Sequence, residues 1–170
     1  VMETLPGPVA IGHVRYSTAG SKGQTSIRDV QPFFGEFSMG GAAIAHNGNL
    51  TNAAALREEL EERGSIFQTT VDSEIVLHWL AQPTQNGENT LVSTIRKLEG
   101  AYSLLVMTER ELIGARDPHG FRPLCIGRMD NGAYVLSSET CALDLIQAKF
   151  VRDVEPGEIV IIDDNGLRSI

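Results

Sequence analysis

Cysteine is scarce in this 170-residue sequence: only Cys125 and Cys141 are present. They have no C-x-x-C spacing and no histidine beside them, so neither a disulfide framework nor a zinc site is expected, and a reducing cytoplasm is the matching compartment. Long apolar runs are also missing. The longest, residues 101–107 and 159–162, are strand-sized, far below the roughly 18 residues of a membrane span. No secretory leader is legible. Basic side chains are few, 14 Lys and Arg against 22 Asp and Glu, for a formal charge of −8. That balance argues against a nucleic-acid or anionic-membrane partner, since both need clustered cations. Phosphate loops of the G-x-G-x-x-G or G-x-x-x-x-G-K-[ST] kind do not occur, and no histidine pair has metal-ligand spacing, so no metal site is expected. The first position lacks an initiator methionine. Val1-Met2-Glu3 fits a processed chain or a piece of a longer one.

Apolar residues make up 42% of the chain and charged residues 21%, a globular composition long enough for one domain with its own core. The hydrophobic period changes several times. Residues 8–16 and 41–46 read as short strands, with Gly/Ser-rich loops at 19–23 and 35–40. Helical spacing follows: Ala53, Leu56 and Leu60 share a face, Thr51 or Asn52 is placed to cap, Glu59 and Arg63 form an i,i+4 pair, and Gly64 ends the turn. A second helix follows Asp72 and stops before Pro83, and a third covers residues 89–98. Strands are then expected at 102–107, 112–116, 124–127 and 134–138 as successive antiparallel hairpins, with a short helix at 141–148 and a last strand at 158–162. The expected class is α+β, in one domain.

Polar residues concentrate in three places. Gly12-His13-Val14-Arg15-Tyr16-Ser17-Thr18 joins a guanidinium to three hydroxyls, which suits either an anion clamp or a structural salt bridge beside a turn. His46-Asn47-Gly48-Asn49 contains Asn-Gly, a leading hairpin turn. An Asn amide and a following Gly N–H can equally converge on one point as an oxyanion hole. Asp72 opens an amphipathic stretch, where it would cap the helix or hold a ligand ammonium. Arg, donor pair and acid together describe a site for a zwitterionic amino acid with a reacting carbonyl. His13 and His46 read as core or supporting histidines, Cys125 and Cys141 as buried small residues, and Asp117, Arg116 and Arg122 as ties within a hairpin turn.

Eight strings occur in one order across nearly the whole chain: Gly12–Thr18, Gln31-Pro32-Phe33, His46–Asn52, Asp72-Ser73-Glu74, Gly100–Leu104, Arg116–Leu124, Ser137-Ser138-Glu139 and Pro156-Gly157-Glu158. In this the chain resembles the class II glutaminase domains of the amidophosphoribosyltransferase family. The resemblance implies the four-layer αββα sandwich of N-terminal-nucleophile hydrolases. It implies that Arg15, helped by Thr18, holds the α-carboxylate of L-glutamine, that Asp72 and the Gly48 region hold its α-amino group, and that Asn47 and Gly48 form the oxyanion hole. The family's nucleophile is a cysteine at the mature N-terminus, its own amine acting as base. Residue 1 here is Val, so the expectation is an N-terminally truncated fragment, inactive alone, that also lacks the phosphoribosyltransferase domain. The parent would use the ammonia to convert phosphoribosyl pyrophosphate to 5-phosphoribosylamine in purine synthesis. No cofactor is expected in this segment. Mg²⁺, and in one branch of the family a 4Fe-4S cluster, would belong to the parent, which is expected to be a homo-oligomer. Another class II amidotransferase, or a nucleophile-less relative that binds an amino acid or a partner, is the alternative reading.

Overall fold

In a computed structural model that describes residues 7–14, 29–38, 40–83 and 90–170, two antiparallel sheets are stacked between helices. The elements follow as β1 (Phe33–Phe37), β2 (Gly40–Leu50), α1 (Ala53–Glu62), α2 (Asp72–Leu80), α3 (Thr90–Ile95), β3 (Gly100–Thr108), β4 (Leu112–Arg116), β5 (Cys125–Arg128), β6 (Tyr134–Ser137), α4 (Thr140–Leu145), β7 (Lys149–Asp153), β8 (Ile159–Asp163) and β9 (Gly166–Ser169). One sheet has the order β1-β2-β3-β4-β8-β9 and the other β6-β5-β7.

Strand alternation sorts side chains into three separate cores. Ile44, Leu104, Val106, Ile113, Ile159 and Ile161 face α1, α2 and α3, where Leu56, Leu60, Val76 and Leu80 cover them. The opposite faces supply Leu105, Leu112, Val160 and Ile162, which pack on Leu124, Ile126 and Leu136. Cys125 and Val135, on the outer face of the small sheet, pack under Leu143 of α4. Three apolar interfaces require four layers, in the order helix, sheet, sheet, helix. This is the αββα sandwich that the resemblance implies. Gly114 of β4 lies where the two sheets approach, since a Cβ there would press on Leu136, Val160 and Leu124.

Several local expectations need correction. Residues 8–14 form no strand. Residues 35–37 and 40 are strand and not loop: Phe37 pairs with Gly40 as β1 turns into β2. Phe33, Gly35 and Phe37 alternate with exposed Phe34 and Glu36, a period of two that the neighbouring glycines obscured. β7 and β9 were not anticipated. β7 is largely exposed and β9 half-buried at best, so neither carries a strong apolar signal. The β3–β4 and β5–β6 hairpins form, but β4 pairs with β8 and not with β5, so residues 117–124 cross from one sheet to the other. The helix end at Gly64 and the Glu59–Arg63 pair are present. Neither Thr51 nor Asn52 caps α1 through its side chain; Asn52 Nδ2 donates to Lys97 O (2.8 Å) and its Oδ1 accepts from Glu99 N (3.1 Å). Cys125 is buried as expected, whereas Cys141 is exposed on α4.

Candidate functional site

Asn47 and Gly48 lie inside β2, opposite Ser103 and Tyr102 of β3, not in a hairpin turn. Pairing with a strand about fifty residues downstream in sequence overrides the local turn preference of Asn-Gly. Gly48 has φ +145°, and a Cβ there would collide with the carbonyl of Ala101. The strand therefore admits only glycine at this point.

The ladder's parity determines where the donors point. Tyr102 O accepts from Asp117 N on the β4 side (2.9 Å). Tyr102 and Gly48 therefore form a non-hydrogen-bonded antiparallel pair, with the Gly48 N–H on the edge away from β3. His46 and Leu50 share that parity. Their outward N–H groups are both taken by side chains, His46 N by Gln31 Oε1 (2.6 Å) and Leu50 N by Asp72 Oδ2 (3.0 Å). Between them, the N–H of exposed Gly48 meets no acceptor among the described residues.

Asp72 is the first residue of α2, with Val71 as N-cap, so it is not the cap that its position implied. Its carboxylate anchors α2 against the end of β2 and stays partly open to solvent. His46 Nδ1 lies 3.9 Å from Asp72 Oδ2, too far for a hydrogen bond. Burial pushes the His46 imidazole down to about 4, against the pull of Asp72 and with help from His13 and Arg122. His46 is thus neutral at pH 7 and supports the strand, and His13 Nε2 lies 3.1 Å from its carbonyl. His78 and His119 lie elsewhere, against Phe67 and Phe121.

Asn47 alternates to the face turned toward the 117–124 connection. There Arg122 Nη2 donates to Asn47 Oδ1 (2.5 Å), a contact across 75 residues that no spacing in the sequence announces. The connection is held from within. Asp117, wholly buried, accepts from His119 N and Phe121 N at Oδ1 (3.0 Å each) and from Arg122 N at Oδ2 (2.9 Å). Burial alone would raise its carboxyl, but these N–H donors outweigh it and hold the group below its usual range. Arg116 grips the same segment through the carbonyls of Arg122 (2.8 Å), Val154 (2.7 Å) and Gly120 (3.0 Å). The ties expected of Asp117 and Arg116 are present. Arg122 instead reaches out of the segment to β2.

Asn47, Gly48 and Asp72 thus gather at the outer end of β2, while Arg15 and Thr18 fall outside the described residues. An amide, an open N–H and a carboxylate near this end of β2 can bind an amino acid and stabilise negative charge beside it. Residues 13–145 match the glutamine amidotransferase domain family.

The chain belongs to that family.

This glutamine amidotransferase domain is 51% identical over 168 residues to amidophosphoribosyltransferase 2, chloroplastic, of Arabidopsis thaliana, covering 98% of this chain and 29% of that protein. It is 50% identical over 160 residues to the amidophosphoribosyltransferase of Rhizobium etli, covering 94% and 32%. Among solved structures it is similar to the glutamine phosphoribosylpyrophosphate amidotransferase of B. subtilis complexed with ADP and GMP, with a TM-score of 0.83 and 44% identity over 93% of this chain and 33% of that one. The chain spans about a third of the length of these relatives. Among the described residues no group of three or more His, Cys, Asp and Glu side chains could hold a metal ion, and no helix is long and apolar enough to cross a membrane.

Proposed function

We propose that this domain hydrolyses glutamine within an amidophosphoribosyltransferase, and that the ammonia released displaces pyrophosphate from phosphoribosyl pyrophosphate to give 5-phosphoribosylamine, in purine synthesis. The observation that carries the glutaminase reading is the donor pair on β2: the open Gly48 N–H beside the Asn47 amide. The transferase half rests on the likeness to whole amidophosphoribosyltransferases over nearly all of this chain.

In this reading Arg15, with Thr18, pairs with the glutamine α-carboxylate, and Asp72 takes the α-ammonium. A cysteine thiolate attacks the carboxamide carbon, and the carbonyl oxygen becomes an oxyanion held by Asn47 Nδ2 and the Gly48 N–H. Collapse expels ammonia and leaves a thioester, and water then releases glutamate. Neither cysteine present here suits the attack. Cys125 is buried in the small sheet, and burial and Asp153 raise its thiol. Cys141 is exposed, but on α4, in the layer separated from β2 by the small sheet. The family resemblance implies that the nucleophile is a cysteine at the mature N-terminus, and we expect these 170 residues alone to release no glutamate. Mg²⁺ and, in one branch of the family, an iron–sulfur cluster would serve other parts of that protein, a homo-oligomer of the cytoplasm.

The test compares nitrogen donors. The full-length protein should form phosphoribosylamine from either glutamine or ammonia. Arg15→Ala should abolish glutamine use and keep ammonia use, because Arg15 would touch glutamine and not the sugar phosphate. Equal loss with both donors refutes the assignment.

A further inference from the structure

We infer that Arg122 is a positioning residue for the glutaminase reaction, acting by fixing which end of the Asn47 amide faces the substrate. The inference rests on the oxyanion reading of Asn47 given above and adds to it the group on which that reading depends. An Asn side-chain amide has two nearly isosteric ends and a broad, roughly two-fold torsion, so it can present either a donor or an acceptor to the same point. An oxyanion hole works only if the NH₂ end is presented. A guanidinium has five N–H donors and no acceptor, so a neighbouring amide must turn its oxygen toward it. Arg122 Nη2 meets Asn47 Oδ1 in this way, and the Asn47 Nδ2 makes no hydrogen bond with any described residue. The donor is therefore both oriented and unspent.

Two further observations separate this role from that of a structural cation. Arg122 makes no ion pair with any described carboxylate, and its Nε is buried with no hydrogen-bond partner among the described residues. A half-buried guanidinium placed for stability would ordinarily face an acid. Its backbone is also fixed at both ends, with N bonded to Asp117 Oδ2 (2.9 Å) and O bonded to Arg116 Nε (2.8 Å). The guanidinium thus projects from a rigid connection between the sheets, and the orientation of Asn47 is set by tertiary structure before glutamine arrives. Such preorganisation is what makes a donor effective in the transition state.

The test is a double-mutant cycle in the full-length protein, with ammonia-dependent turnover, which bypasses this site, reporting folding. Arg122→Met should lower kcat with glutamine about 10- to 100-fold with KM changed by less than about threefold, because the mis-turned amide fails mainly in the transition state. Arg122→Lys, which can still donate to Oδ1, should recover most of that loss. On an Asn47→Ala background Arg122→Met should cost no more than about twofold, since the group it orients is gone. An undiminished cost on that background, or a change confined to KM, overturns the positioning role. Should Arg122→Met also lose ammonia-dependent turnover, the same cycle with Arg122→Gln, whose own amide can present either end to Asn47, decides: a loss of about threefold or more in the presence of Asn47 and none in its absence supports the inference, and equal effects overturn it. If Asn47→Ala alone leaves kcat intact, the oxyanion reading itself fails. If Asn47→Ala is slow and Arg122→Met is not, only the role of Arg122 fails.

Discussion

His46 Nδ1 and Asp72 Oδ2 stand 3.9 Å apart, yet they are no ion pair at neutral pH. Burial strips the imidazolium of hydration, and that cost exceeds the attraction of the carboxylate, so the imidazole falls from its ordinary 6.5 to about 4. Asp72 therefore gains no cationic partner from His46 at neutral pH.

The consequence for stability has a definite sign. The unfolded chain, with His46 at its ordinary value, binds more protons than the fold between about 4 and 6.5. Stability from this group is complete above 6.5 and is lost as pH falls toward 4, by about 3 kcal/mol in total. Denaturant unfolding across that window should show a steeper loss in the wild type than in His46→Gln. Parallel curves would mean that His46 is not held neutral.

Asn47→Ala should lower kcat with glutamine by about 10²–10³, roughly 2.7–4 kcal/mol, with little change in KM, because its donor matters most once the carbonyl oxygen carries charge. Steady-state kinetics with glutamine and with ammonia make the distinction. A pure KM effect would refute the oxyanion role.

Asp72 has two separable tasks. Asp72→Asn keeps an oxygen for Leu50 N but loses the charge proposed to meet the glutamine ammonium. It should raise KM for glutamine about 10- to 100-fold, the worth of a charge-assisted hydrogen bond, with thermal stability near wild type. Asp72→Ala should show the same KM and a lower Tm as well. Unaltered glutamine KM in both variants would leave Asp72 as a structural anchor only.

Gly48→Ala tests the backbone. The added Cβ would run into Ala101 O at a φ of +145°, so β2 and β3 must part. A loss of roughly 1–3 kcal/mol is expected, together with loss of glutamine hydrolysis. A variant that keeps both wild-type Tm and glutamine turnover would show that the close approach is not needed.

The α+β class, the four helices of the described residues and the β3–β4 and β5–β6 hairpins could be read in the sequence because their signals are local: a period of 3.6 around Leu56 and Leu60, and a period of two through Tyr102, Leu104 and Val106. β1 was hidden by glycines and β7 by its exposure. The residues that gather at the site were visible as types, but their geometry was not. Asn47-Gly48 has the local signature of a turn and became the interior of a strand, because β3 supplies a complete ladder for it. Asp72 had the position of a cap and became an anchor for Leu50.

Composition and short motifs by themselves determined an acidic α+β domain and nominated Asn47, Gly48 and Asp72. Only tertiary structure decided that Gly48 offers an open N–H between two occupied ones, and that Arg122 turns the Asn47 amide. Periodicity records which face of an element is buried. It carries no information on which distant strand completes a ladder or which guanidinium crosses 75 residues to reach an amide, since those pairings are settled by the packing of the layers as a whole.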